Sequence, residues 1–312
     1  MKPSSRNGWA RTWPLLMLLA GCASAPPEQG GYTAPPTAEG NDVDQLAATA
    51  LALWGTDASG NGSQALSQIQ KAVKAAPERA DLQWLHLRLC IEVPGCEPQP
   101  IETQLRKLDP TNGAVWLGPL SRAQQRRDTR AEEQILEMMT KAGHFNVYWT
   151  TLVARLAPPL SRSPVATSVA QLVPTPLTNA MNSTVTWLSS LATPAFAALS
   201  TACDEQHVRE PATRVRCEQI SQVLQKSDTT LAEGIGLGIA QRLTIPDSAS
   251  ALQVRQKVQT LRHQNQSSGA VIAAQVEKEK FSAQMLKLMA QLKKEQDVSR
   301  AILRWAGQPL TP

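Results

Sequence analysis

Trp84, Trp116 and Trp149 recur at intervals of 32 and 33 residues, and Ala76-Pro77 and Asp109-Pro110 are separated by 33. A period in the low thirties leaves room for two helices and a turn, stacked so that each unit buries its apolar face on the next. From Val43 onward the apolar residues fall at helical spacing. Alanine and leucine dominate, and the apolar-polar alternation of a half-buried strand is rare. The chain is expected to be all-α.

Ser63–Pro77 (SQALSQIQKAVKAAP) resembles the second helix of a tetratricopeptide (TPR) repeat together with its closing proline. Ala65 and Ala72 fall where that family places its small packing residues, and Pro77 falls at its terminator. Small residues let helices approach closely, and proline ends a helix because it has no N–H to donate. Asp109-Pro110-Thr111-Asn112 followed by Trp116 resembles the turn between repeats and the aromatic of the next first helix. The resemblance runs from Val43 to about Leu156, and the pattern departs from it in places. Pro94, Pro98 and Pro100 crowd one helix start, Gly55–Gly62 lengthens a turn, and Pro119 sits inside a first helix. What the resemblance implies is a concave surface lined by the first helix of each unit. Exposed side chains near Trp84, His86, Arg88, Arg122 and Gln125 would then meet a protein partner, Trp84 and Trp116 themselves packing in the core, with Arg88 and Arg122 steering an acidic segment.

Leu156–Pro176 is proline-rich and reads as an irregular connection, after which the repeat is lost. Apolar spacing predicts helices at about Asn179–Leu191, Pro194–Cys203, Pro211–Lys226, Thr229–Leu243 and Asp247–Gln264. A last helix is expected to run unbroken over Gly269–Ala306, where no internal proline or glycine interrupts the stripe Phe281, Met285, Leu288, Met289, Leu292. At 1.5 Å per residue it would span about 55 Å. The ordinary place for such a helix is along the core; the alternative is an exposed arm that carries the binding surface itself.

The beginning of the chain carries Lys2, Arg6 and Arg11, then the apolar run Trp13–Ala20, then Leu19-Ala20-Gly21-Cys22. This order resembles the lipobox of bacterial lipoproteins. The resemblance implies that residues 1–21 are removed and that Cys22 carries a diacylglycerol thioether and an N-acyl chain, palmitate among such chains. Ala23, rather than Asp, follows the cysteine, which by the same resemblance implies the outer membrane with the domain facing the periplasm. Eight apolar residues fall far short of the roughly 20 that a membrane-spanning helix needs. Ala23–Asn41 is rich in Pro, Gly, Ala and Thr, and its 19 residues form a tether reaching up to about 60 Å when extended. The expected organisation is signal peptide 1–21, lipidated cysteine and tether 22–42, TPR-like helices 43–156, connection 157–177 and a helical C-terminal domain 178–312.

Export places the other four cysteines in an oxidising compartment. Four cysteines allow three connectivities, and proximity in sequence favours Cys90–Cys96 and Cys203–Cys217. A competing reading takes Cys203, His207 and Cys217 as metal ligands, although no clear fourth ligand accompanies them.

The sequence carries no recognisable catalytic signature. His86, His144, His207 and His263 lie in separate segments without i, i+4 partners, and neither G-x-S-x-G nor H-E-x-x-H occurs. Gly234-Ile235-Gly236-Leu237-Gly238 follows a helical rather than a strand pattern, so it reads as close helix packing through Gly234 and Gly238 and not as a dinucleotide turn. Glu132-Glu133 and Glu277–Lys280 read as solvated helix surface. The formal charge is +5, but three positive charges lie in residues 1–21, which leaves about +2 on the remainder. That near balance, without aromatic interleaving, argues against nucleic acid. The expectation is a non-enzymatic envelope protein without metal, cofactor or small-molecule substrate, serving as a helical scaffold for a periplasmic or envelope protein. The alternative is an immunity-type lipoprotein that blocks a secreted toxin or a cell-wall hydrolase.

Overall fold

The computed structural model describes residues 42–163, 175–275 and 278–312. The signal-like segment, Cys22, the tether Ala23–Asn41, and residues 164–174 of the proline-rich stretch lie outside the described residues. Among the described residues the chain is all-α, and the β-type pairing is an isolated bridge between Asn112 and His144.

Helix α1 (Val43–Thr56) starts where the Asp42 carboxylate accepts the amides of Asp44 and Gln45 at 3.1 and 3.2 Å. Every residue from Leu46 to Leu53 is buried, four of them alanines. A helix apolar on all sides has to be central. Accordingly α1 is packed by α2 (Ala58–Ala75), α7 (Trp149–Ser161) and α8 (Pro176–Ala192). Ala65 and Ala72 on α2 are fully buried, which lets α2 lie close between α1 and α3 (Ala80–Glu92). Helix α4 (Pro98–Leu108) opens on a proline in its first turn and closes with Arg106 and Lys107 against its carbonyl end. A 3₁₀ turn, Gly113–Trp116, leads into α5 (Leu117–Gln125), which pairs with α6 (Thr129–Thr140).

The chain therefore forms helix pairs α1–α2, α3–α4 and α5–α6, but it curls back on itself. Asp44 on α1 meets Arg79 at 2.5 Å and Arg155 of α7 at 3.5 Å. The periodic tryptophans stand at inequivalent places: Trp84 inside α3, Trp116 ending the 3₁₀ turn, Trp149 opening α7. Helix α7 runs through Pro158 and Pro159 to Ser161, so the proline-rich stretch begins as the end of a helix. Neither proline can donate to the carbonyl four residues back, and their place in the last two turns confines that loss to the end of the helix.

Beyond α8 follow a 3₁₀ turn (Thr193–Phe196), α9 (Ala197–Ala202), α10 (Pro211–Leu224), α11 (Thr230–Leu243), α12 (Ala249–Gln275), α13 (Glu279–Leu292) and α14 (Glu295–Trp305). Glycine at 236 is what brings α11 against α10. A methyl there would meet Leu224 Cβ at 2.7 Å and the Ser221 carbonyl oxygen at 2.9 Å. The Ser221 hydroxyl donates to the Gly236 carbonyl at 2.8 Å across the same crossing. The close approach is thus made at Gly236, between the two glycines singled out from sequence; Gly234 meets a neighbouring side chain only at 3.9 Å.

The unbroken helix expected over Gly269–Ala306 does not exist. Gly269 lies inside α12, the longest described helix at 27 residues or about 40 Å, and the rest divides into α13 and α14. Lys293 takes a left-handed conformation (φ 57°) that ends α13. The restart is held from outside: the Glu295 amide donates to the Asp228 carbonyl at 2.9 Å, and the Glu295 carboxylate accepts the Thr230 amide at 2.8 Å. Tertiary contacts to the α10–α11 turn outweigh the helical propensity of the intervening lysines. Phe281, Met285, Leu286 and Met289 of α13 join Val298 and Ile302 of α14 in one hydrophobic core continuous with α1, α3 and α7. The exposed-arm alternative is thereby excluded for this segment.

Candidate functional site

The residues assigned to a partner surface are dispersed. Arg88 is only 5% exposed. Its Nε donates to the Leu191 carbonyl at 2.8 Å, near the carbonyl end of α8, and its guanidinium lies 6.0 Å from the centroid of the Trp84 ring. Burial holds its pKa below the usual arginine range. The fold uses this cation to anchor α3 to the negative end of α8, so the expectation that Arg88 is exposed to a partner is corrected. Trp84 and His86 are buried with it. Arg122 on α5 is tied to Glu102 on α4, with Nη1 2.8 Å from Oε1 and Nη2 2.5 Å from Oε2. Gln125 is exposed and bonds only within its own helix, to the Ser121 hydroxyl at 3.4 Å. A cavity that admits one water-sized body lies against Trp84, Arg88, Trp149, Leu188 and Leu191.

Neither ring nitrogen of His86 has a hydrogen-bond partner, and burial lowers its pKa from 6.5 to about 4. The neutral ring is the folded form, so acid destabilises: stability is lost progressively as pH falls from 6.5 towards 4, because the unfolded chain binds the proton first. Replacing His86 by leucine also removes two buried polar atoms left unpaired. The variant is expected to melt above the wild type at pH 7, with the gap widening by about 2 kcal/mol at pH 5. Thermal unfolding across that range checks it, and a gap constant with pH would contradict it.

The cysteines form the two local disulfides Cys90–Cys96 and Cys203–Cys217. The first joins the end of α3 to the turn before α4; the second joins the end of α9 to α10. With both sulfurs committed, Cys203 and Cys217 are not metal ligands, and the His207 ring instead meets Asp204 at 2.8 Å. No group of three His, Cys, Asp or Glu side chains is placed to hold a metal among the described residues.

Two polar clusters were not foreseen. In the first, Asp109 accepts from Tyr148 Oη at 2.5 Å and from Asn112 Nδ2 at 3.1 Å, with His144 Nε2 also at 3.1 Å. Burial, with Asp109 alongside, raises the Tyr148 pKa far above its ordinary value. Thr111 Oγ1 lies 3.4 Å from His144 Nδ1, which sets a hydroxyl, an imidazole and a carboxylate in line. The line lacks amides to receive an oxyanion: Gly143 N and His144 N both donate to the Thr111 carbonyl, and Gly113 N to the His144 carbonyl. Asn112, with no exposed surface, holds the turns together by donating to the Asn146 carbonyl at 2.8 Å and accepting the Asn146 and Ala114 amides at 2.9 and 3.0 Å. The cluster is a clasp between the turn before α5 and the turn before α7.

In the second, Asp228 accepts the amides of Val147 and Trp149 at 3.0 and 3.3 Å, capping α7 from another part of the chain. Burial pushes its pKa up to about 7. Burial also raises that of the adjoining Glu295. The D-P-T-N run marks the first cluster as a turn in sequence, but its partners are more than 30 residues away and no local signal names them. Elsewhere a groove of about 390 Å³ between α6 and α10 is lined by Glu137, Thr140, Lys141, Gln219, Gln222 and Lys226. No described helix is long and apolar enough to cross a membrane. Searches with the whole chain found no matching protein family, no similar curated protein and no similar solved structure.

Proposed function

We propose that this chain is a lipid-anchored protein of the bacterial envelope, outer-membrane-bound and facing the periplasm, that works by binding another protein. The observation that carries the reading is the run Leu19-Ala20-Gly21-Cys22 placed between a basic-apolar leader and a tether without aliphatic pattern. Two disulfides suit an oxidising compartment. The TPR-like character proposed for residues 43–156 rests on the helix pairs α1–α2, α3–α4 and α5–α6, on buried Ala65 and Ala72, and on the terminating Pro77. The polar clusters join turns to turns, a use of carboxylates, tyrosine and histidine that serves rigidity. Of Arg88, Arg122 and Gln125, Gln125 is the exposed side chain, and the exposed side of α5 is where contact is proposed.

Replacing Cys22 by serine is expected to abolish incorporation of labelled palmitate and to release the chain from washed membranes. Equal labelling and membrane partition of the two forms would refute the anchor. Cross-linking through a photoreactive group at Gln125 distinguishes the roles: capture of envelope-assembly components supports a scaffold, and capture of a secreted toxin or a cell-wall hydrolase supports immunity.

A further inference from the structure

Charge is distributed unevenly along the folded chain. Residues 43–248 hold 18 Lys or Arg against 19 Asp or Glu, whereas residues 249–312 hold 10 against 4. Of those four acids, Glu295 is turned inward onto the Thr230 amide and Asp297 is paired with Arg300. The fold gathers part of the excess. Lys257 Nζ of α12 donates to Gln225 Oε1 at 3.2 Å, and Lys294 Nζ, at the head of α14, donates to the Lys226 carbonyl at 3.0 Å. Lys226, Lys257, Lys293 and Lys294 therefore converge, all exposed, on the end of α10. Helices α12 and α14 pack side by side from there. His263 Nε2 and Gln264 Nε2 of α12 meet the Pro309 and Leu310 carbonyls at 2.9 and 3.0 Å, so the two helices run in the same direction as one layer. At the far end of that layer Arg304 is exposed, and Trp305 is 58% exposed although its ring stacks 5.7 Å from Phe281.

We propose that the α12–α14 layer lies on an anionic lipid surface, the four lysines against headgroup phosphates and Trp305 at the level of the headgroups. Basic side chains with an exposed tryptophan at their margin are what such a boundary selects. The choice of lipid over an acidic protein rests on the proposed anchor: a tether of 19 residues, reaching at most about 60 Å when extended, would confine the start of α1 to the neighbourhood of a headgroup plane. The high effective concentration that follows makes even weak attraction sufficient.

The test uses the full mature chain with Cys22→Ser, so that no acyl chain contributes, in flotation with vesicles of phosphatidylcholine alone or mixed with phosphatidylglycerol. Binding is expected only with phosphatidylglycerol, and it should fall steeply with added salt. At roughly fivefold per lysine, the combined change Lys257→Gln, Lys293→Gln, Lys294→Gln should weaken binding about 100-fold. Lys71→Gln with Lys74→Gln, on α2, should leave it unchanged. The proposal is overturned by absence of binding to the mixed vesicles, by equal binding to phosphatidylcholine, or by wild-type affinity in the triple variant. Affinity for an acidic protein without affinity for vesicles overturns it as well. Should the triple variant not fold, the salt dependence of the wild type decides. Vesicle binding with an unlabelled Cys22 would leave the face standing and remove the anchor; lipid labelling without vesicle binding would do the reverse.

Discussion

Substitution of Asn112 by alanine is expected to lower the melting temperature by about 10 °C, the largest effect of any single polar change in this fold. The amide has no exposed surface, donates to Asp109 and the Asn146 carbonyl, and accepts the backbone amides of Ala114 and Asn146. Alanine leaves the buried Ala114 amide and the half-buried Asn146 amide and carbonyl without these partners, each costing about 1–3 kcal/mol. Some relaxation and water entry bring the expected total to about 4 kcal/mol. Tyr148→Phe removes only the hydroxyl that donates to Asp109 and should cost about 1 kcal/mol. Thermal unfolding followed by circular dichroism checks both. Equal stability of the alanine variant and the wild type would mean that the clasp does not join the two turns.

Reduction of the disulfides is expected to be at least as damaging. Cys203 and Cys217 lie 14 residues apart and are fully buried, and closure of that loop contributes about 3 kcal/mol in the chain-entropy account. The Cys90–Cys96 loop is shorter and contributes about 2 kcal/mol by the same reasoning. A strong reductant should therefore lower the melting temperature by about 12 °C. The Cys203→Ala, Cys217→Ala pair should reproduce somewhat more than half of that fall. An unchanged melting curve under reduction, with all four thiols titratable, would show that the loops are held by packing alone.

How far the sequence reaches is visible in individual elements. Helices α10 and α11 begin within one residue of where the apolar spacing places them, because Pro211 at a helix start and Thr229 as a cap are local signals. The break at Lys293 is invisible to the same reading, since lysine and glutamate are good helix formers and the forces that end α13 come from the α10–α11 turn. The repeat resemblance puts Arg88 on a concave face; that its guanidinium lies against Trp84 and the end of α8 instead depends on a helix more than 80 residues later.

From its sequence alone this chain is determined to be helical, with ends set by proline, aspartate and threonine, and its cysteines are close enough in number to pair locally. Those properties depend on neighbours a few residues apart, within reach of one turn of helix. Only the tertiary structure decided which charges are sealed inside, where the last helices divide, how Asp109, Asn112, His144 and Tyr148 meet, and which lysines share a layer. Each of these pairs groups far apart in sequence, and burial, which turns a polar side chain from a surface ornament into a clasp, exists only once the chain has closed on itself.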